Sequence, residues 1–211
     1  MKIQHPKLTK ELASKKLHDI FFDDDFILEN CEIFNSSLKE EVLDRLGIYN
    51  AHVKDCDFSN SDLGRVDFTD VMFENCDFSN SLMAYGSIHR VIFKNCRLTG
   101  TSFHAMRLGN VIFNDVKANF VTFTDSKINK FFSDKSSLES SEFHNSTLEN
   151  TEFKDTKLND IAIYETPLKN CDLSQSYFDK FTVNKDDLKG CKISRNQAIQ
   201  FAGLMGLRIV D

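Results

Sequence analysis

Six cysteines and six histidines are the residues of this chain whose types could support redox chemistry, metal binding or nucleophilic catalysis. No two cysteines form the C-x-x-C spacing that is typical of zinc and thiol–disulfide sites. The histidines are scattered, and no Ser-His-Asp set, phosphate-binding loop or metal-ligand spacing accompanies them. The carboxylates are numerous, but they are typical of solvated surface. We therefore expect a protein that is not an enzyme and has no cofactor.

The apolar residues follow a five-residue period, which fits neither a helix nor a strand. From Val53 to Ile193, 27 of the 29 positions at this spacing hold Val, Leu, Ile, Met or Phe, the exceptions being Ala118 and Ser133. Two residues earlier, 24 of 29 positions hold Ala, Cys, Ser, Thr, Val or Gly. Asn, Asp and Gly recur two residues after the large residue, as tight turns require. The period indicates a repeat array in which each pentapeptide points one large and one small side chain inward.

All six cysteines fall on the small inward position of this repeat. They are Cys31, Cys56, Cys76, Cys96, Cys171 and Cys191. We interpret them as small buried hydrophobes with free thiols, in preference to a zinc site or a disulfide ladder.

The composition of the chain argues against further classes of protein. The 211-residue chain has 20 Phe, no Trp and a net charge of −6, which is too acidic for a protein that binds nucleic acid by neutralising phosphates. No apolar run approaches the length of a membrane span, and the first residues lack the apolar core of a signal peptide. We expect a cytoplasmic protein with no direct nucleic-acid or membrane partner.

The two ends depart from the repeat. Residues 1–50 are predicted to form an N-terminal cap with partial repeats and a short helix at 38–46, because Ser37 and Glu40 have capping-box spacing. Residues 51–195 form the array, and residues 196–211 a helix and a short final strand. Ser194 is the expected N-cap and Gly206 the expected stop. The apolar side chains of this helix, Ala198, Phe201, Ala202 and Met205, either cover the last coil or form a dimer contact.

The array resembles the pentapeptide-repeat family, whose members form a right-handed quadrilateral β-helix. The resemblance implies an all-β solenoid with four faces per 20-residue coil, coils stacked about 4.8 Å apart and a C-terminal capping helix. In such coils Phe73, Phe93, Phe113 and Phe153 share one column with Ser133. We expect Phe131 and Phe132 to fill the gap that Ser133 leaves.

Within that family the chain is similar to the quinolone-resistance (Qnr-like) subgroup and its mycobacterial relative. The similarity lies in "ENCDFSNS" at 74–81, "HRVIFKNCRLTGTSF" at 89–103 and "NQAIQFAGLMGLRIV" at 196–210. It implies a homodimer joined through the C-termini, a rod that mimics duplex DNA, binds DNA gyrase or topoisomerase IV and protects them from quinolones. The unbroken array resembles the loopless members. The alternative is a scaffold or immunity role with another protein partner.

Three candidate surfaces follow. The dimerisation residues are predicted to be Phe201, Met205 and Leu207. Segment 138–187 holds eleven acidic and five basic side chains, a net −6 over about 12 Å, where duplex DNA carries about seven charges. The acidic residues selected there as partner-binding are Glu142, Glu149, Glu152 and Asp160.

An outward apolar stripe is the third candidate. Its members precede the large inward residue in four successive coils: Met72, Ile92, Ile112 and Phe132. Two explanations are open, cover by the N-terminal segment or a partner-binding site.

Overall fold

The computed structural model describes residues 2–204, 206–208 and 210, and its described part is an all-β solenoid that ends in one α-helix. The strands are β1 Ala13–Lys15, β2 Ile27–Phe34, β3 Val42–Leu43, β4 Leu46–Lys54, β5 Asp62–Gly64, β6 Val66–Glu74, β7 Leu82–Ala84, β8 Ser87–Lys94, β9 Ser102–His104, β10 Arg107–Asn114, β11 Thr122–Thr124, β12 Lys127–Asp134, β13 Glu142–His144, β14 Thr147–Lys157, β15 Ile161–Tyr164, β16 Asp172–Tyr177 and β17 Phe181–Val183. A 3-10 helix covers Leu17–Phe22 and helix α1 covers Arg195–Leu204.

The strands form two parallel sheets. One has nine strands in the order β1-β2-β4-β6-β8-β10-β12-β14-β16, and the other has eight in the order β17-β15-β13-β11-β9-β7-β5-β3. Partner residues are 20 apart in the chain, as in Phe73↔Phe93 and Phe103↔Phe123. The 20-residue coil and the solenoid fold that the resemblance implied are therefore confirmed.

Each coil has four faces. The strands of the nine-stranded sheet turn one corner and cover two faces, and the short strands of the eight-stranded sheet form a third, which we call the short-strand face. Isolated parallel bridges such as Asp57↔Asp77 and Arg97↔Lys117 hold the fourth. At nearly every fifth residue from Asn30 to Asn170 the backbone has a positive φ, which forms the corners. Asn and Asp tolerate this left-handed conformation, which is why they recur there.

The core consists of stacked columns of like side chains. The large inward residues are buried from Leu28 to Phe178. Phe rings stack on Phe rings, with centroids 4.8 Å apart for Phe103 and Phe123 and 4.7 Å apart for Phe123 and Phe143.

The gap at Ser133 is filled by one neighbour. Phe131 occupies a position that normally holds a small residue, and its ring lies 4.9 Å from that of Phe113 and 5.9 Å from that of Phe153. The Ser133 hydroxyl lies 3.0 Å from that of Thr156. The large and small side chains have exchanged places within one pentapeptide, which keeps the column filled, whereas Phe132 points outward and is half-buried.

The helix predicted at 38–46 is wrong. Leu38 and Leu43 are buried inward residues of an ordinary coil, and β3 pairs with β5. Glu40 has a φ of 63°, which no α-helix contains. The local capping signal is overridden because burial of two leucines and pairing with the next coil stabilise the chain more than a short helix can. The parallel ladder begins well before residue 38, because β1 pairs with β2 and β2 with β4. Leu17 and Ile20 of the 3-10 helix are fully buried beside the first coil.

The predicted C-terminal helix is present, and both of its predicted end residues are confirmed. The Ser194 amide donates to Gln197 Oε1 at 2.8 Å and the Gln197 amide donates to Ser194 Oγ at 3.3 Å, which is a capping box. Gly206 has a φ of 72°, as expected of a helix stop. The predicted final strand is not present in the described residues 206–208 and 210.

Candidate partner-binding surfaces

The cysteines lie in or beside the core and form no disulfide bonds. All six are free thiols, five of them buried and Cys191 half-buried. Burial raises the pKa of Cys31 to about 11 and that of Cys171 to about 12. A thiol is nucleophilic and metal-binding only as the thiolate. The cysteines therefore act as small core residues.

The histidines and carboxylates are dispersed over the outside. His104 and His144 both flank Thr124 in the short-strand face, so two coil spacings separate them. Within residues 2–204, 206–208 and 210, no three His, Cys, Asp or Glu side chains lie together in a way that could hold a metal ion. No described helix is long and apolar enough to cross a lipid bilayer.

The structure does not bring the four selected acidic residues into one patch. Glu142 lies in β13 on the short-strand face, while Glu149 and Glu152 lie in β14 on either side of a corner at Asn150. Asp160 is at another corner, with its carboxylate 2.5 Å from Lys180 Nζ. A flat partner surface can meet one or two faces of the rod at a time. The four carboxylates therefore lie around the rod, and one flat partner surface meets only some of them.

The apolar stripe is partly covered by the N-terminal segment, residues 2–12, which we call the strap. The strap crosses four coils through backbone amides that donate to corner side chains: Gln4 to Asn110 at 3.0 Å, Lys7 to Asp70 at 2.9 Å and Thr9 to Asn50 at 2.9 Å.

The burial of the stripe agrees with this cover. Ile112 is only 6% exposed although it points outward, and Met72, Ile92 and Phe132 are half-buried. The side chains Ile3, Pro6 and Leu8 of the strap are also half-buried. This burial and the course of the strap favour cover by the N-terminal segment over a partner-binding site, and a partner at this position would first have to displace the strap.

The strap is anchored to Asp70, which forms an ion pair with Arg90. Arg90 donates two hydrogen bonds of 2.6 Å to the Asp70 carboxylate, and both side chains are largely buried. These hydrogen bonds lower the pKa of Asp70, and the amide of Lys7 contributes to the same effect. Asp70 therefore remains ionised and joins the strap to two coils.

The predicted dimerisation residues divide into different environments. Phe201 is 7% exposed, with its ring 5.5 Å from that of Phe178 and 5.4 Å from that of Phe181. Phe201 therefore covers the last coil and leaves little surface for a second chain, and its role as a dimer contact stays a prediction. Met205 lies outside the described residues. Leu207 is exposed, as is Ile199 on α1.

Sequence reasoning missed Gln197. It is buried, and its Nε2 donates to the carbonyl oxygens of Leu173 at 2.7 Å and Ser176 at 3.0 Å. The helix therefore closes the solenoid through one polar and one aromatic side chain, Gln197 and Phe201, which lie one turn apart. Ala198 was predicted to lie on this apolar side of the helix, but it is exposed.

A second missed feature is an exposed apolar group on the short-strand face. Leu82 is 51% exposed, Tyr85 68% and Phe120 60%. Tyr85 and Phe120 occupy corners, with φ of 59° and 60°. The signal was present in the sequence, since aromatic residues stand where Asn, Asp or Gly are expected.

Comparison with solved structures finds proteins of similar fold. A trypsin-treated variant of QnrB1, described as a plasmid-mediated fluoroquinolone resistance protein, matches with a TM-score of 0.67 and 16% identity over 87% of this chain and 90% of that chain. HetL, a pentapeptide repeat protein involved in heterocyst differentiation regulation from the cyanobacterium Nostoc, matches with a TM-score of 0.51 and 13% identity over 81% and 84%. These similarities concern the fold. No curated protein gives a significant match.

Family models match the repeat itself. The model "Pentapeptide repeats (8 copies)" matches residues 49–83 and the model "Pentapeptide repeat region" matches residues 86–163, together more than half of the chain. Buried inward side chains and left-handed corners run through both ranges. The chain belongs to the pentapeptide-repeat family.

Proposed function

We propose that this protein binds DNA gyrase or topoisomerase IV as a mimic of duplex DNA and protects the enzyme from quinolones. The observation that carries the proposal is the charge of segment 138–187 on a solenoid rod. The stacked coils give that segment a net charge of −6 over about 12 Å, close to the charge density of a DNA duplex. The similarity to the Qnr-like subgroup supports the same partner.

The charge pattern makes the proposed mimicry local. Residues 88–137 hold eight basic and three acidic side chains, a net +5 that no duplex would present. The acidic segment lies at the C-terminal end of the rod, next to the helix that the proposal assigns to dimerisation. In a dimer joined through these ends, two acidic segments form the centre and two basic segments lie outside it. The cationic DNA-binding surface of the topoisomerase then meets the centre.

A supercoiling assay tests the function directly. Purified protein is titrated into gyrase and relaxed plasmid, with and without ciprofloxacin, and into a parallel assay that measures competition with labelled DNA. The proposal expects competition with DNA and restored supercoiling in the presence of the drug. No effect on gyrase or topoisomerase IV at micromolar protein would contradict it.

Charge reversal tests the location of the mimic. A variant with Lys at the four selected acidic positions, Glu142, Glu149, Glu152 and Asp160, is expected to lose binding and drug protection while its circular dichroism spectrum is unchanged. The loss follows because the reversal removes four negative and adds four positive charges, which shifts the net charge of the segment from −6 to +2 and removes the attraction to a cationic surface. Binding is measured by surface plasmon resonance at two salt concentrations.

The matched control places the same change at the other end of the rod. Asp24, Asp25, Glu29 and Glu40 are exposed carboxylates of the N-terminal coils, and their reversal to Lys should leave most of the affinity. Equal losses in the two variants, or no loss in either, would show that the mimicry is not local.

Dimerisation is a separate prediction. Ile199→Ser combined with Leu207→Ser removes two exposed apolar side chains at the C-terminal end without changing Phe201, which covers the core. Sedimentation equilibrium is expected to show a dimer for the unchanged protein and a monomer for the double variant, because burial of apolar surface stabilises such contacts. A monomeric unchanged protein, or a dimeric variant, refutes this interface.

A scaffold or immunity role with another protein partner is the second candidate. The fold match to HetL favours it, since that protein is described as regulatory and is a pentapeptide-repeat protein. Failure of competition with DNA, together with normal folding, would favour this alternative.

A further inference from the structure

Exposed phenylalanine is concentrated at the N-terminal end of the rod. Of the 20 Phe residues, all of which the structure describes, 16 are buried or half-buried and four are exposed. Three of these four are Phe21, Phe22 and Phe26, which are 44%, 89% and 37% exposed. They belong to the sequence FFDDDF at 21–26, which we call the tip. Phe22 is the most exposed large apolar residue in the described part of the chain, so it adds little to the core.

Hydrogen bonds hold the tip in a fixed turn. The Phe26 amide donates to the Asp23 carbonyl at 3.1 Å, and the Asp25 amide donates to Asp23 Oδ1 at 3.0 Å. The Asp23 amide donates to the carbonyl of Ile20 at 3.3 Å, and Ile20 is fully buried. On the other side of the turn, the Phe26 carbonyl accepts from the Gly47 amide at 2.9 Å. The backbone of the tip is therefore fixed to the first coils, and an ordered surface loses less entropy on binding.

The tip lies in an acidic region. Residues 16–45 hold nine acidic and three basic side chains, a net charge of −6 over 30 residues. Segment 138–187 carries the same net charge over 50 residues, so the N-terminal region is the more densely charged of the two. All six residues of the tip are exposed, including its three aspartates.

The neighbouring bases leave two of these carboxylates unpaired. Within the described residues, neither Asp24 nor Asp25 forms an ion pair. Lys39 Nζ lies 3.7 Å from the carboxylate of Glu40, and Arg45 lines the same surface depression as Asp25 without pairing with it. The tip thus presents unpaired negative charge beside exposed aromatic rings.

This combination defines the chemistry of a partner. A Lys or Arg cation is attracted both to the face of an aromatic ring and to a carboxylate. Nucleic acid and acidic lipid headgroups are repelled by the net charge of the region, and so is the tip of a second copy of this chain. Aromatic side chains are also enriched where proteins bind one another. The complementary occupant is therefore a protein segment that carries positive charge.

We infer that the tip is a docking site for a cationic segment of a partner protein, in which a Lys or Arg side chain lies against Phe22 and pairs with Asp24 or Asp25. Phe21 and Phe26 extend the apolar surface. The inference goes beyond the proposed function and does not depend on it, because the tip and segment 138–187 lie at opposite ends of the two sheets. It agrees with the small loss of topoisomerase affinity that is expected when Asp24 and Asp25 are reversed.

Two variants of the tip test the inference. The probe is a short fluorescein-labelled peptide of alternating Arg and Leu, and its binding is measured by fluorescence anisotropy. Phe22→Ser keeps the charge and should weaken binding at least about fivefold, because it removes a cation–π contact and the burial of an apolar ring. Asp24→Asn/Asp25→Asn keeps the shape and should weaken binding by a similar factor that shrinks at high salt. The melting temperature should stay the same, since these side chains are exposed.

Matched controls place the same changes elsewhere on the rod. Phe120→Ser removes a ring that is 60% exposed and lies outside the acidic region. Asp62→Asn/Glu165→Gln removes two exposed carboxylates, so the net charge changes by the same amount as in the tip variant. Each control should change the affinity less than about twofold, because only the general field of the protein is altered.

Losses in both tip variants, with the controls unchanged, support the inference. Equal losses in the two charge variants would show that the peptide binds acidic surface in general, and would overturn it. Unchanged binding by Phe22→Ser, or no saturable binding at millimolar peptide, would overturn it as well. Sedimentation of the unchanged protein tests a second copy as the occupant: self-association that Phe22→Ser abolishes would refute a cationic partner protein.

Discussion

Phe123→Ala is expected to lower the free energy of unfolding by about 3–5 kcal/mol, as is usual for truncation of a buried Phe. Phe123 is 1% exposed and lies between the rings of Phe103 and Phe143, whose centroids are 4.8 and 4.7 Å away. Ala would leave a cavity in the middle of a column. The stacked coils cannot move together to close it, because their spacing is fixed by backbone hydrogen bonds. The measurement is guanidinium unfolding followed by circular dichroism.

The control lies three residues away in the same chain. Phe120→Ala removes an identical side chain from an exposed corner and should change the free energy of unfolding by no more than about 0.5 kcal/mol. Similar losses for the two variants would show that the column does not stabilise the fold in the way the structure indicates.

Asp70→Ala is expected to lower the free energy of unfolding by about 2–3 kcal/mol, the effect of losing hydrogen bonds to a charged group at a largely buried site. The substitution leaves the guanidinium of Arg90 without its carboxylate and the amide of Lys7 without its acceptor. It should also release the strap, which hydrogen exchange at the Lys7 amide would detect. Unchanged protection there would contradict the role assigned to Asp70.

This contribution should depend on pH in a defined direction. Because hydrogen bonds from Arg90 lower the pKa of Asp70, the unfolded chain takes up the proton first as pH falls. The stabilisation is fully present above the ordinary carboxyl range near about pH 4 and is lost as pH falls through the lowered pKa of the folded state. The stability difference between Asp70→Ala and the unchanged protein should therefore be constant from pH 7 to 5 and shrink at lower pH.

An exposed ion pair provides the comparison. Asp44 and Arg65 are in contact, but both side chains are more than half exposed. Asp44→Ala should lower the free energy of unfolding by less than about 1 kcal/mol. A cost as large as that of Asp70→Ala would mean that burial is not what distinguishes the two pairs.

The amino-acid sequence by itself determined the repeat, the inward columns and the turns. Each pentapeptide carries its own large residue, small residue and corner residue. The pattern can therefore be recognised from neighbouring residues alone, without knowledge of distant contacts. The C-terminal helix was predictable for the same reason, since its N-cap Ser194 and its stop Gly206 lie next to it in the sequence. The four-sided coil came from family resemblance, because a five-residue period alone does not fix how many faces close a turn.

Only the tertiary structure decided which outward residues meet. Stacking at 20 residues separates Glu142, Glu149 and Asp160 on different sides of the rod, although they are neighbours in sequence. The same stacking brings Asp62 and Glu142 into one column, although 80 residues separate them. The strap, the helix-free coil at 38–46 and the buried Phe201 were likewise decided by packing against distant segments. Local signals could not reveal these contacts, because the surface an outward side chain joins depends on how the coil closes and what lies across it.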